Sequence, residues 1–177
     1  ILDTYLYDKG SIKIRLDSFN IEELIKETVD EVSNLLMEKR QTIKIHSTVS
    51  SSIITADKFQ IKRVILNLIS NANTYGFQNS EIDICLSDTE DSNGILLNIT
   101  NKSHYISDDA LVDIFVKYKQ TKNAKFRKTG TGLGLYLSKQ IIDAHNGEIH
   151  ATSSRENETS TFGFSIPKTY VEAVKNA

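Results

Sequence analysis

Apolar residues along the chain fall into helical stripes separated by short alternating runs. Ile21, Leu24, Ile25, Thr28, Val29, Val32, Leu35 and Leu36 recur at three- and four-residue spacing, which places them on one helix face. Asn20 precedes them as an N-cap, with Glu23 three residues on in the capping-box position. A second stripe of Ile61, Val64, Ile65, Leu68, Ile69 and Ala72 predicts a helix from about Asp57 to Thr74. Ser107 predicts the start of a short helix ending near Tyr118, and a further helix runs from about Leu135 to His145. Asn146-Gly147 is a suitable stop for that last helix. Alternation predicts strands over about 11–16, 42–47, 81–87, 94–100, 148–153 and 160–166. The polar turn Asp88–Gly94 joins two of them, and Pro167, the only proline, closes the last. Residues 1–8 read as the tail of an earlier helix stopped by Gly10.

Helices and strands are mixed without a regular strand–helix–strand repeat. The expected fold is therefore α+β, a two-layer sandwich of a mixed β-sheet packed on helices, rather than a doubly wound sheet. The 177 residues suit one domain of ordinary size with a short extension. With 39% hydrophobic and 25% charged residues, the balance is that of a globular domain. A formal net charge of −2 gives no bias toward nucleic acid or anionic lipid. The lone cysteine, Cys85, sits in an alternating apolar run and is expected to be a buried strand residue. One cysteine excludes a disulfide framework and fits a reducing compartment. No apolar run approaches the roughly 20 residues that span a bilayer, and there is no signal-peptide pattern. The chain begins at Ile1 rather than Met, so it reads as a piece of a longer protein whose membrane anchor, if it has one, lies elsewhere.

The candidate chemistry lies in two places about sixty residues apart. Gly130, Gly132 and Gly134 occupy every second position just before an amphipathic helix. Bare backbone there lets N–H groups approach an anion at a helix N-terminus, where the macrodipole favours negative charge. The segment 117–128 leading into it carries six Lys/Arg and no acid. Upstream, Asn67 and Asn71 are four residues apart and share the helix face that borders the apolar stripe. Amides at the edge of a core are costly unless partnered. One use for them is as oxygen ligands to a Mg²⁺ that carries phosphates.

The segment LNLISNANTYG resembles the N box of sensor histidine kinases, and GTGLGL resembles their G2 box. Ile114-Phe115-Val116-Lys117-Tyr118 is similar to the F box between them, and Thr159-Ser160-Thr161-Phe162 through Pro167 to the closing strand. The resemblance runs from about residue 17 to the end, in matching order and spacing. It implies the Bergerat-type ATPase fold for residues 17–177, with residues 1–16 as the end of a dimerisation helix and its linker. It also implies ATP and Mg²⁺ as cofactors. Asn71 would hold the metal, Asn67 would support metal or phosphates, and both would serve catalysis. Tyr75 would lie beside the adenine. Gly130, Thr131, Gly132, Leu133 and Gly134 would form the phosphate-facing edge of an ATP lid. Arg127 or Lys128 would reach phosphate, and Thr161 would join the nucleotide-binding set.

The adenine-binding G1 box departs from the family pattern. Asn101 stands for the family's Asp, Ser103 for the first Gly and Tyr105 for the second. Asn101 can still accept from an adenine amino group, through a weaker neutral bond. A bulky residue at 105 is costly if that position needs positive φ or close approach to a nucleotide. Thr74 also stands where the family often has Lys. Two functions follow from the resemblance. One is a cytoplasmic kinase domain that passes the γ-phosphoryl of ATP to a histidine outside this stretch. Its partners would be its own phosphoacceptor domain, a second copy in a homodimer and a response regulator, with no nucleic acid. The other is a degenerate regulatory module with weak or no nucleotide binding. None of His46, His104, His145 and His150 has the surroundings of a phosphoacceptor.

Overall fold

The computed structural model describes residues 12–117 and 132–170. Helix α1 (Ile21–Glu38) starts where Asn20 Oδ1 accepts from the backbone N–H of Glu22 and Glu23 at 2.9 and 3.2 Å. Those two donors would otherwise lack an intrahelical partner. Its buried face is Ile21, Leu24, Ile25, Thr28, Val32 and Leu36. Thr28 is tolerated there because its Oγ1 donates back to the Leu24 carbonyl at 2.7 Å. Leu35, expected on the same face, is exposed. Helix α2 (Lys58–Tyr75) starts at Asp57, whose Oδ1 accepts from Gln60 N–H at 3.1 Å, and buries all six residues of the predicted stripe.

Among the described residues, seven strands complete the frame: β1 (Asp17–Asn20), β2 (Thr42–Ser47), β3 (Ile53–Ala56), β4 (Glu81–Asp88), β5 (Gly94–Lys102), β6 (Glu148–Ser154) and β7 (Thr159–Pro167). Five form one mixed sheet in the order β2-β4-β5-β7-β6, with β2–β4 parallel and the remaining pairs antiparallel. Two helices follow β5 in the chain, the short α3 (Asp108–Asp113) and α4 (Gly134–Ala144). Ile82, Ile84 and Leu86 of β4, Ile95, Leu97 and Ile99 of β5, and Phe162, Phe164 and Ile166 of β7 pack against the helices in one core. The fold is the expected two-layer α+β sandwich, with the helices on one face of the sheet.

The strand predicted over 11–16 is not formed within its described residues. Pairing begins at β1, where Phe19 lies opposite Ile54 of β3 in a separate two-stranded sheet. A strand needs a partner, and four-residue β3 carries too short a pattern to announce one. Cys85 is exposed rather than buried. Its neighbours Ile84 and Leu86 face the helices, so the pleat turns Cys85 to the uncovered face. Helix α3 stops at Asp113, short of the predicted end; Tyr118, like residues 1–8, lies outside the described residues. Among the described residues, no helix is long and apolar enough to cross a membrane.

Candidate functional site

Helices α2 and α4 run antiparallel, and the candidate residues gather where the N-terminus of α4 meets the middle of α2. Asn67 is held by Ser138 of α4: its Nδ2 donates to Ser138 Oγ at 3.0 Å, and Ser138 is buried. That bond leaves Asn67 Oδ1 directed at the α4 backbone. A Cβ on Gly134 would sit 2.2 Å from Asn67 Oδ1, well inside contact distance, so only glycine permits this approach. Gly132 has φ 67°, the left-handed conformation that glycine adopts without cost.

Leu133 is the N-cap of α4 and supplies no side-chain hydrogen bond to it. Among the described residues, the first amides of α4 therefore have no capping side chain in a helix end that favours anions. One turn along α2 from Asn67, Asn71 is half-buried and makes no side-chain hydrogen bond among the described residues. A half-buried amide without a partner next to a glycine-lined helix N-terminus is the donor set that a phosphate-bound Mg²⁺ can use. Among the described residues there is no cluster of three or more His, Cys, Asp or Glu to hold a metal by itself.

Tyr75 ends α2 and is exposed. The carbonyls behind it are fixed by Lys39, whose Nζ donates to Asn73, to Thr74 at 2.6 Å and to Gly76 at 3.2 Å. Gln41 continues the support, accepting from Asn73 Nδ2 and donating to the Phe77 carbonyl, each at 2.8 Å. Asn101 of β5 is buried against the same turn: a Cβ on Gly76 would lie 3.3 Å from Asn101 Nδ2. That Nδ2 donates to its neighbour's carbonyl, Lys102 O, at 3.2 Å.

Beside Asn101, Ser103 Oγ donates to Ser160 Oγ at 2.8 Å, and Ser160 Oγ contacts Ser153 Oγ at 3.2 Å. Ser153 Oγ in turn accepts from Ile106 N–H at 3.0 Å. Neither Ser103 nor Tyr105 has positive φ, so neither position requires a glycine backbone. The Tyr105 ring lies 4.6 Å from the Arg155 guanidinium, and its hydroxyl donates to Asp108 Oδ1 at 3.1 Å. That hydrogen bond raises the Tyr105 pKa, because losing the proton would leave two anions facing each other.

Asn67 and, one turn on, Asn71 thus lie beside the Gly132–Gly134 start of α4 at the middle of α2, and Tyr75 and Asn101 lie at its C-terminal end. Arg127, Lys128, Gly130 and Thr131 lie outside the described residues. Thr161 is not brought to the site. Its Oγ1 lies 2.8 Å from Thr100 Oγ1 across the β5–β7 pair. Both residues alternate with Ile99, Asn101, Ser160 and Phe162, so they occupy the uncovered face of the sheet. Ser138, Lys39 and Gln41 were not foreseen. Ser138 lies four residues after Gly134 on the same face of α4, a spacing that could have identified it.

Comparison with known proteins agrees with this geometry. A family model described as Histidine kinase-, DNA gyrase B-, and HSP90-like ATPase matches residues 56–170. Sensor protein KdpD of Clostridium acetobutylicum is 31% identical over 170 residues, a match covering 95% of this chain and 18% of that relative. The chain thus spans about a fifth of the relative's length. The nucleotide-free catalytic domain of histidine kinase ThkA superposes with a TM-score of 0.76 at 29% identity, covering 88% of this chain and 97% of that one. A second structure, histidine kinase ThkA in complex with response regulator protein TrrA, matches with a TM-score of 0.78 at 25% identity. That match covers 97% of this chain and 47% of the other.

Proposed function

The chain belongs to the histidine kinase-, DNA gyrase B- and HSP90-like ATPase family, and on that premise we propose that it is the kinase unit of a two-component sensor histidine kinase. It binds Mg²⁺–ATP and presents the γ-phosphoryl to a histidine outside residues 1–177. Residues 1–16 are the end of the dimerisation helix and the linker, and residues 17–177 the catalytic domain. The wider protein works as a homodimer in the cytoplasm and passes phosphate to a response regulator. The complex of ThkA with its response regulator supports that last assignment.

The observation that carries the proposal is the approach of Gly134 to Asn67 beside unpartnered Asn71. Asn71 Oδ1 holds Mg²⁺, with Asn67 in support. When bound, the ion neutralises charge on the phosphate oxygens. The first amides of α4, with Gly132 and Leu133, take the remaining phosphate charge. Arg127 or Lys128 adds a cation, and Gly130 and Thr131 complete the edge. Tyr75 and Asn101 hold the base. Phosphoryl transfer asks little of protein side chains beyond position and charge, so a site of amides and backbone N–H groups is sufficient.

Calorimetric titration of the chain with ATP, with and without Mg²⁺, tests this. Saturable binding that weakens on chelation of the metal, and that loses its metal dependence in Asn71→Ala, is expected. No heat at millimolar Mg²⁺–ATP would overturn the assignment. Binding indifferent to Asn71→Ala would overturn the metal ligand.

A further inference from the structure

The same two helices are joined at their other ends by a contact that nucleotide binding does not use. His145, the C-cap of α4, is buried, and its Nε2 accepts from the backbone N–H of Asp57 at 3.0 Å. Its Nδ1 lies 2.7 Å from the Ile141 carbonyl. The two bonds together define the tautomer: Nδ1 carries the proton and Nε2 is the acceptor. Asp57 is itself shared three ways. Its N–H goes to His145, its Oδ1 caps α2 through Gln60, and its Oδ2 accepts from Arg15 N–H at 2.9 Å. Arg15 belongs to the segment that enters the domain ahead of β1. One buried residue pair therefore ties the incoming chain, the start of α2 and the end of α4.

Helix α4 has only 11 residues, and Leu133 at its N-cap supplies no side-chain hydrogen bond. A rod about 16 Å long pinned at one end and touching Asn67 at the other transmits a tilt along its length. We propose that the Asp57–His145 junction is a positioning device through which the segment at Arg15 sets the Gly132–Gly134 end of α4 against Asn67. Tension or displacement at Arg15 pulls on Asp57 and loosens the acceptor bond to His145. The phosphate end of α4 then drifts from Asn67. The residues are positioning residues and touch no substrate.

The junction is also sensitive to protons. Burial holds the His145 pKa below its ordinary 6.5, opposed by the Ile141 carbonyl and the Asp57 carboxylate. Asp57 is the one charged group acting on His145 among the described residues. Only neutral His145 can accept from Asp57 N–H. On unfolding the pKa returns to 6.5, so as pH falls the unfolded chain takes up the proton first. The junction is thus fully stabilising above pH 6.5 and loses that contribution as pH drops from 6.5 through the lowered folded value. His150, also lowered by burial and bonded to Asn98, titrates in the same direction and cancels when a His145 variant is the reference.

The inference that nucleotide affinity responds rests on the proposed ATP site; the motion of α4 does not. Two readouts are therefore taken on the 177-residue chain: hydrogen exchange of the Leu135–Leu137 amides without nucleotide, and Mg²⁺–ATP affinity. The variants are His145→Gln, and Arg15→Pro, which removes the N–H that Asp57 accepts. Leu97→Ala, in the sheet core, is the control for general destabilisation. Both junction variants are expected to speed exchange at the start of α4 and weaken ATP binding by roughly three- to tenfold, the effect of losing about one hydrogen bond. The wild-type affinity is expected to fall below pH 6.5 more steeply than that of His145→Gln. Exchange at Leu135–Leu137 no faster than in Leu97→Ala, matched for melting temperature, would overturn the proposal. Faster exchange in a chain that binds no ATP would leave the junction standing and remove the ATP site instead.

Discussion

The Asn67–Asn71 stretch of α2 and the region around its C-terminal end at Tyr75 reach different solutions for their polar groups. At the proposed phosphate site, Asn71 makes no side-chain hydrogen bond among the described residues, and Leu133 at the α4 N-cap supplies none. At the proposed adenine site, the hydroxyls of Ser103, Ser160 and Ser153 satisfy one another, and Tyr105 is occupied by Arg155 and Asp108. The contrast teaches where ligand affinity resides. A group left short of partners in the free protein gains a bond when ligand arrives, whereas a satisfied group only exchanges one. Departures from the family pattern at Ser103 and Tyr105 therefore fall where the chain has already supplied internal partners, whereas Asn101 has a partner only for its Nδ2, the Lys102 carbonyl.

The largest effect should come from emptying the open site. Asn71→Ala removes the proposed metal ligand, worth about 2 kcal/mol as a bond to a charged group, and should weaken Mg²⁺–ATP binding roughly 30-fold by calorimetry. Gly134→Ala comes next. Its methyl meets Asn67 Oδ1, so either α4 retreats or Asn67 turns away from Ser138, with a stability cost of about 1–3 kcal/mol by thermal unfolding and roughly tenfold weaker nucleotide binding. Ser138→Ala frees Asn67 to rotate and should cost about 1 kcal/mol of affinity, roughly fivefold, with Ser138→Thr tested for rescue. Tyr105→Gly should do least to the ligand. Losing the Arg155 stack and the Asp108 bond lowers stability by about 1 kcal/mol, while ATP affinity stays within about twofold. Tighter ATP binding in Tyr105→Gly would mean that the ring obstructs the base, and would break the contrast between the two regions.

Much of this was legible in the chain, for local reasons. The stripe from Ile61 to Ala72 set the rotation of α2 and put Asn67 and Asn71 together at its margin, because helical spacing is a property of nearby residues. The glycines before α4 marked a backbone that must come close to something, and Asn20 and Asp57 marked where α1 and α2 begin. The alternation Ile82–Asp83–Ile84–Cys85–Leu86 also held the information that Cys85 faces away from the core, although the local run of apolar residues suggested burial. Thr161 failed differently. Its strand was found, but a motif reports sequence order, and the pleat sends alternate residues of one strand to opposite sides.

By itself the sequence determined the long helices, most strands of the main sheet and the family, since periodicity, caps and motif spacing are written over a few residues at a time. Only the tertiary structure decided what Gly134 approaches, that Ser138 orients Asn67, and that His145 meets Asp57 from 88 residues away. Those contacts arise from packing two antiparallel helices on one sheet face. The pattern along either helix says which side is apolar, but the depth and tilt at which the two meet belong to the assembled core.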